Sequence, residues 1–191
     1  MRDASRFALA TICGLVLAGI VHIVAILTIP WLGEQDALSR LRSTAAADRA
    51  ELVSAPGAAA AAWLPSPDPA VAIAACAYNL DEGPLRVTAR MRGMFQSISF
   101  HGRGGGVYFA ITDRAAIRGA LDLVVMTRAQ LEGTLALEDE EEPSRDLRIV
   151  APSREGFAIV RVLATFPSMR AEAEEAAKAV SCSTDPPPGE S

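Results

Sequence analysis

Histidine, cysteine, lysine and aromatic residues are all scarce in this 191-residue chain, which has two His, three Cys, a single Lys (Lys178) and 5% Phe, Trp and Tyr. Two histidines and three cysteines supply no four-ligand set at a zinc-binding spacing, and no metal or other cofactor is expected. Eighteen basic residues against 23 acidic ones give a formal charge of -5. The chain therefore has no basic field to gather nucleic acid, and nucleic acid is not an expected partner. The preference for Arg over Lys, together with abundant Ala, fits a GC-rich coding sequence and carries no functional weight. Half of the residues are hydrophobic and 21% are charged, which excludes a wholly disordered chain and suits one globular domain with an added segment. No internal repeat is present.

Charge is absent altogether from residues 7–32, FALATICGLVLAGIVHIVAILTIPWL. About 20 apolar residues cross a hydrocarbon core, so this run is expected to be a transmembrane helix. Arg2 and Arg6 precede it while Glu34 and Asp36 follow, which by the positive-inside rule places residues 1–6 in the cytoplasm and exports the rest. Trp31 suits an interfacial anchor. A cleaved signal peptide has a shorter apolar core and a small-x-small cleavage site, so the sequence favours an uncleaved signal anchor in a bacterial inner membrane. His22 and Cys13 lie inside the run and read as structural, with no second polar group to form a relay. Gly14 and Ala18 permit weak helix pairing.

Residues 33–67 read as a short juxtamembrane helix followed by an Ala/Pro linker, with Pro56, Pro65, Pro67 and Pro69 breaking any regular element. A folded domain is then expected over 68–182 and a disordered tail over 183–191. Its signals are those of strands: AVAIAACAYNL, LRVTARM, MFQSISF, VYFAITD, LDLVVMT, GTLALED, LRIVAP and GFAIVRVLAT. Leu85, Val87, Ala89 and Met91 alternate most cleanly, one face apolar and the other polar. HGRGGG joins two strands as a glycine-rich hairpin loop. The Ala, Glu and Lys content after Pro167 predicts a C-terminal helix running to Cys182, with Ser168 as its N-cap. The fold class expected is mainly β within α+β: an N-terminal transmembrane helix, an antiparallel β-sandwich or jelly-roll-like domain, and a C-terminal helix.

Cys76 and Cys182 are the only cysteines beyond the apolar run, and an exported, oxidising location favours a disulfide between them over two separate buried thiols. Catalytic types are few. His101 is the only exported histidine; it reads as an exposed turn residue, with Asp113 or Ser99 as its nearest candidate partners for base chemistry. GRGGG at 102–106 precedes a strand and not a helix, so it reads as a hairpin turn and not as a phosphate cradle. The acidic run at 138–142 lacks the alternation of a calcium loop and reads as a solvated loop. Arg86, Arg90 and Arg92 offer cations to an anionic ligand, although alternate strand positions facing water explain two of them without one. No catalytic, cofactor-binding or metal-ligating residue is assigned.

Four stretches, YNLDEGPLRVTA (78–89), FQSISFHGRGGGVYFAITD (95–113), LRIVAP (147–152) and GFAIVRVLATFPS (156–168), resemble the family known as domain of unknown function 1254 in its short membrane-anchored bacterial form. Leu80 to Pro84, with Asp81 in place, resembles its leucine-aspartate-x-x-x-glycine-proline turn. Phe95, Gln96, Ser97 and Ile98 stand where the family has tyrosine or tryptophan, x, serine and leucine. Arg161 falls in its closing strands. The resemblance implies a β-sandwich or jelly-roll-like domain and carries over no catalytic residues. Larger relatives are two-domain soluble proteins, which implies a partner bearing a related domain.

The expected function is therefore non-catalytic: a single-pass membrane protein of a Gram-negative bacterium whose periplasmic domain binds another envelope protein as an adaptor or structural element. The alternative is a small-molecule or glycan-binding domain or hydrolase, with a pocket near His101 lined by Tyr78, Phe95, Phe100 and Tyr108.

Overall fold

The computed structural model describes residues 2–44, 48–54, 68–103, 106–137 and 146–184. By contact density the chain separates into Met1–Ala37 and Leu38–Ser191. The first unit is helical, part of α1 (Arg2–Thr44), whose last turns belong to the second. Within it Asp3–Ile29 is long and apolar enough to span a membrane or act as a signal anchor. At 1.5 Å per residue these 27 residues extend about 40 Å, beyond a roughly 30 Å hydrocarbon core. Its two threonines fold their polar groups back onto the helix: Thr11 Oγ1 donates to the Phe7 carbonyl at 3.0 Å and Thr28 Oγ1 to that of Val24 at 2.7 Å. α1 runs without interruption to Thr44.

The second unit contains β1 (Asp48–Arg49), β2 (Glu51–Leu52), β3 (Val71–Asn79), β4 (Leu85–Arg90), β5 (Gln96–Gly102), β6 (Val107–Thr112), β7 (Ala120–Met126), α2 (Arg128–Leu137), β8 (Leu147–Val150), β9 (Glu155–Leu163), α3 (Arg170–Lys178) and β10 (Ser181–Thr184). The strands form two sheets, one ordered β1-β10-β4-β7-β8 and the other β2-β3-β9-β5-β6. The fold is a β-dominated α+β sandwich with an N-terminal apolar helix and a C-terminal helix. It begins earlier than the Asp68 expected from sequence: β1 pairs with β10 and β2 with β3, so residues on the near side of the linker enter both sheets. Linker residues 55–67 and the acidic run at 138–142 lie outside the described residues.

Period-two patterning builds the core. Leu85, Val87 and Ala89 of β4 are buried, as are Ala72, Ala74, Cys76 and Tyr78 of β3 and Ala158, Val160 and Val162 of β9. Ile98 and Phe100 of β5 join the same core. On the opposite face of the β3–β9 sheet, Leu41 from the end of α1 and Val53 pack on Ala75, with Ile73, Ala77 and Phe157 around them. Small Ala side chains alternating on β3 thus let a strand be buried on both faces.

GTLALED departs from its expected strand, since Arg128–Leu137 is the helix α2. A capping box starts it: Gln130 N–H donates to Thr127 Oγ1 at 3.2 Å, while Gln130 Oε1 accepts from Thr127 N–H at 2.8 Å. Topology requires the helix as well. β7 and β8 are parallel neighbours, and a parallel pair needs a crossover that a tight hairpin cannot supply. Gln130 Nε2 also donates to the Leu80 carbonyl at 2.8 Å, tying α2 to the turn after β3.

The C-terminal helix is shorter than expected. α3 ends at Lys178, and Cys182 lies in the strand β10, which runs on to Thr184. Met169 and not Ser168 is its N-cap, with no side-chain cap bond. Ala173, Ala176 and Ala177 bury against β3 and β9. Cys76 of β3 and Cys182 of β10 are bonded, with Cα atoms 6.5 Å apart, so the expected disulfide is present and joins one sheet to the other.

Candidate functional site

The residues expected to line one pocket separate into three places. Tyr78 and Tyr108 meet inside the sandwich, their hydroxyls 2.8 Å apart, and Tyr78 Oη also donates to the His101 carbonyl at 3.2 Å. Tyr78 reaches that far because glycine faces it across the sheet. Tyr78 is paired with Gly156 and Gly156 with Gly102, and a Cβ on Gly156 would collide with Tyr78 Oη and with the His101 carbonyl oxygen. The register of β5 and β6 slips by one residue at Phe100 and His101, leaving Tyr108 unpaired. Tyr108 and Phe109 both pack on Phe100, each with ring centroids 6.3 Å away.

The His101 side chain turns to the other face. Nε2 lies 3.2 Å from Ser99 Oγ, which accepts from Arg161 at 3.0 Å, and the imidazole stacks on Phe157 at 4.7 Å. His101 is a buried strand residue and not the exposed turn residue expected from sequence; its neighbour in the network is Ser99, and Asp113 is at the far end of β6. Phe95 stands six residues before His101 along the strand direction, about 20 Å away, and is 48% exposed. A serine hydroxyl beside an imidazole is the pairing used for nucleophilic catalysis. Here both side chains are buried and the serine oxygen is shared with a guanidinium, which describes a satisfied polar network across β5 and β9.

Sequence reasoning missed the charge network as well. Arg86 bridges Asp122 at 3.2 Å and Asp146 at 3.1 Å, and is not simply solvated. Arg42 and Arg103 both approach Glu155. Among the described residues no group of three or more His, Cys, Asp or Glu side chains is arranged to hold a metal ion.

The tyrosine pair makes a testable alkaline signature. Burial pushes both phenols above their ordinary value of 10.0; Tyr78 raises Tyr108 further, while the bond from Tyr108 offsets part of the rise at Tyr78. A raised folded-state value favours the neutral form, so the contribution to stability is complete below pH 10 and is lost as pH rises beyond it. These are the only tyrosines in the chain, so phenolate absorbance reports them alone. Ionisation is expected well above pH 10 in the folded protein and at the ordinary value in denaturant. Coincident titrations in the two states would refute the buried pair.

No family model matches the chain, and no curated protein matches it. Solved structures do. The VPA0106 protein from Vibrio parahaemolyticus superposes on 82% of this chain with a TM-score of 0.53 at 12% identity. An uncharacterized protein from Burkholderia cenocepacia covers 72% with a TM-score of 0.42 at 14% identity. The chain spans about a third of the length of these two proteins, 36% and 34%. The first similarity is one of fold.

Proposed function

We propose that this chain is a single-pass inner-membrane protein of a Gram-negative bacterium, its N-terminus cytoplasmic, whose periplasmic sandwich binds a protein of the cell envelope and performs no catalysis of its own. One observation carries the reading. β6 is the outer strand of its sheet, and its sequence VYFAIT contains no charge, with Val107 58% exposed and Ala110 exposed beside it. Soluble proteins blunt such edges with charge, proline or a covering element, because an open strand offers unpaired N–H and C=O groups to another chain. Among the described residues no strand pairs with the outer side of β6, and an uncharged edge of this kind is suited to receiving an extended, uncharged segment from a partner. The partner proposed is a protein with a related β-domain, in keeping with the sandwich forming only part of a longer chain in the Vibrio protein.

Photo-crosslinking from Ala110 in cells tests this, with residues 1–37 fused to an unrelated domain as the control. An envelope protein captured by the native sandwich, and lost when Val107→Lys and Ala110→Lys charge the edge, is the expected result. If nothing exceeds the control, or the charged variant captures the same protein equally, the adaptor reading fails.

A further inference from the structure

At the other end of β6 the sandwich gapes. A cavity of about 710 Å³ opens there, walled by Ile111, Leu121 and Leu123 inside and by Ile117 and Leu147 at the mouth. Ile117 is 69% exposed and Leu147 42%, so apolar surface is presented to solvent at the entrance. The volume lies within the roughly 300–1,000 Å³ usual for small-ligand sites.

Arg118 also lines the cavity, and two facts single it out. It occupies a two-residue turn with Gly119, closed by reciprocal backbone bonds between Ile117 and Ala120, and both turn residues have positive φ, 54° and 76°. Asparagine or glycine ordinarily fills the first position of such a turn, and Arg118 is the only described non-glycine residue with positive φ. Its guanidinium has no hydrogen bond or ion pair among the described residues. The two carboxylates in the same wall, Asp122 and Asp146, are instead both bridged from the β4 side by Arg86. A cation in a disfavoured backbone position, with no partner among the described residues, at the mouth of an apolar cavity, is a residue placed for a ligand.

We infer that this cavity binds an amphiphile: an apolar hydrocarbon chain between the sheets and an anionic oxygen head on Arg118. A free fatty acid and an anionic phospholipid share that chemistry. The full chain in neutral detergent is therefore exposed to palmitate, to its methyl ester and to phosphatidylglycerol, each with a diazirine in the acyl chain, and labelled sites are read by peptide mass spectrometry. Labelling is expected at 117–123 and 147 by palmitate, phosphatidylglycerol or both, which identifies the source. Arg118→Gly relieves the turn and keeps the fold, yet should lower that labelling about tenfold. Arg114→Ala, which removes an exposed cation on the adjoining turn, should leave it unchanged. Labelling confined to residues 3–29, equal labelling by the methyl ester, or an equal drop in both variants would overturn the inference.

Discussion

Breaking the Cys76–Cys182 bridge should lower the stability of the sandwich by about 4–5 kcal/mol, the chain-entropy value for a closed loop of some hundred residues. The separation is 106 residues, and both cysteines are buried. Location adds to length. β10 pairs with β1 and β4 in one sheet, while β3 pairs with β2 and β9 in the other, so the bridge ties opposite layers through their shared core. Cys76→Ala with Cys182→Ala, in the full chain, should lower the urea midpoint measured by pulse proteolysis, a loss equal to about a third or more of a small domain's margin of about 5–15 kcal/mol. An unchanged midpoint, or no difference between oxidised and reduced wild type, would show that the bridge contributes little.

The bridge was legible because the expected exported location and the cysteine count pointed to the same pair. Strand alternation was equally legible where one face is apolar, as at Leu85, Val87 and Ala89. What escaped were elements whose stability comes from elsewhere in the chain. Asp48–Arg49 and Glu51–Leu52 are too short to show a period, and each is a strand only because β10 or β3 offers it an edge. GTLALED reads as alternating, yet Thr127 and Gln130 ahead of it form a capping box, a signal that was present in the sequence. The site divides in the same way. Tyr78, Phe100 and Tyr108 meet as packed neighbours inside the sandwich, but which face of β5 carries the His101 ring depends on register, and one residue of register turns a side chain from one face to the other. Arg118 carries no sequence signal at all, because its interest lies in a backbone angle and in the pairing of Arg86 with the neighbouring carboxylates.

Arg170→Ala should destabilise the sandwich by about 3–5 kcal/mol, as expected for removing one member of a largely buried charged network. Nothing in RAEAEEAAK distinguishes this arginine from any exposed helical one. In the fold, Arg170 Nε pairs with Glu174 at 2.7 Å, and its two terminal nitrogens reach backward over a hundred residues. One donates to the carbonyls of Asp68, Pro69 and Val71; the other donates to the carbonyl and hydroxyl of Ser54. Ser54 is itself buried and accepts from the Ile73 N–H at 2.7 Å. The guanidinium therefore holds the chain leaving β2 and the chain entering β3 to the same helix, fixing both ends of the long connection between them. Six acceptors surround the five N–H groups of the planar fork, so at least one N–H is shared between two of them, and an ammonium with three N–H groups could serve still fewer. Arg170→Lys, which keeps the charge and loses the fork, should recover only a minor part, and Glu174→Gln should cost about 1 kcal/mol because the backbone contacts persist. Urea midpoints of the three variants, with amide exchange at Ile73 as the local probe, provide the measurement. If Arg170→Lys proves as stable as wild type, charge alone suffices and the fork is not what joins β2 and β3 to α3.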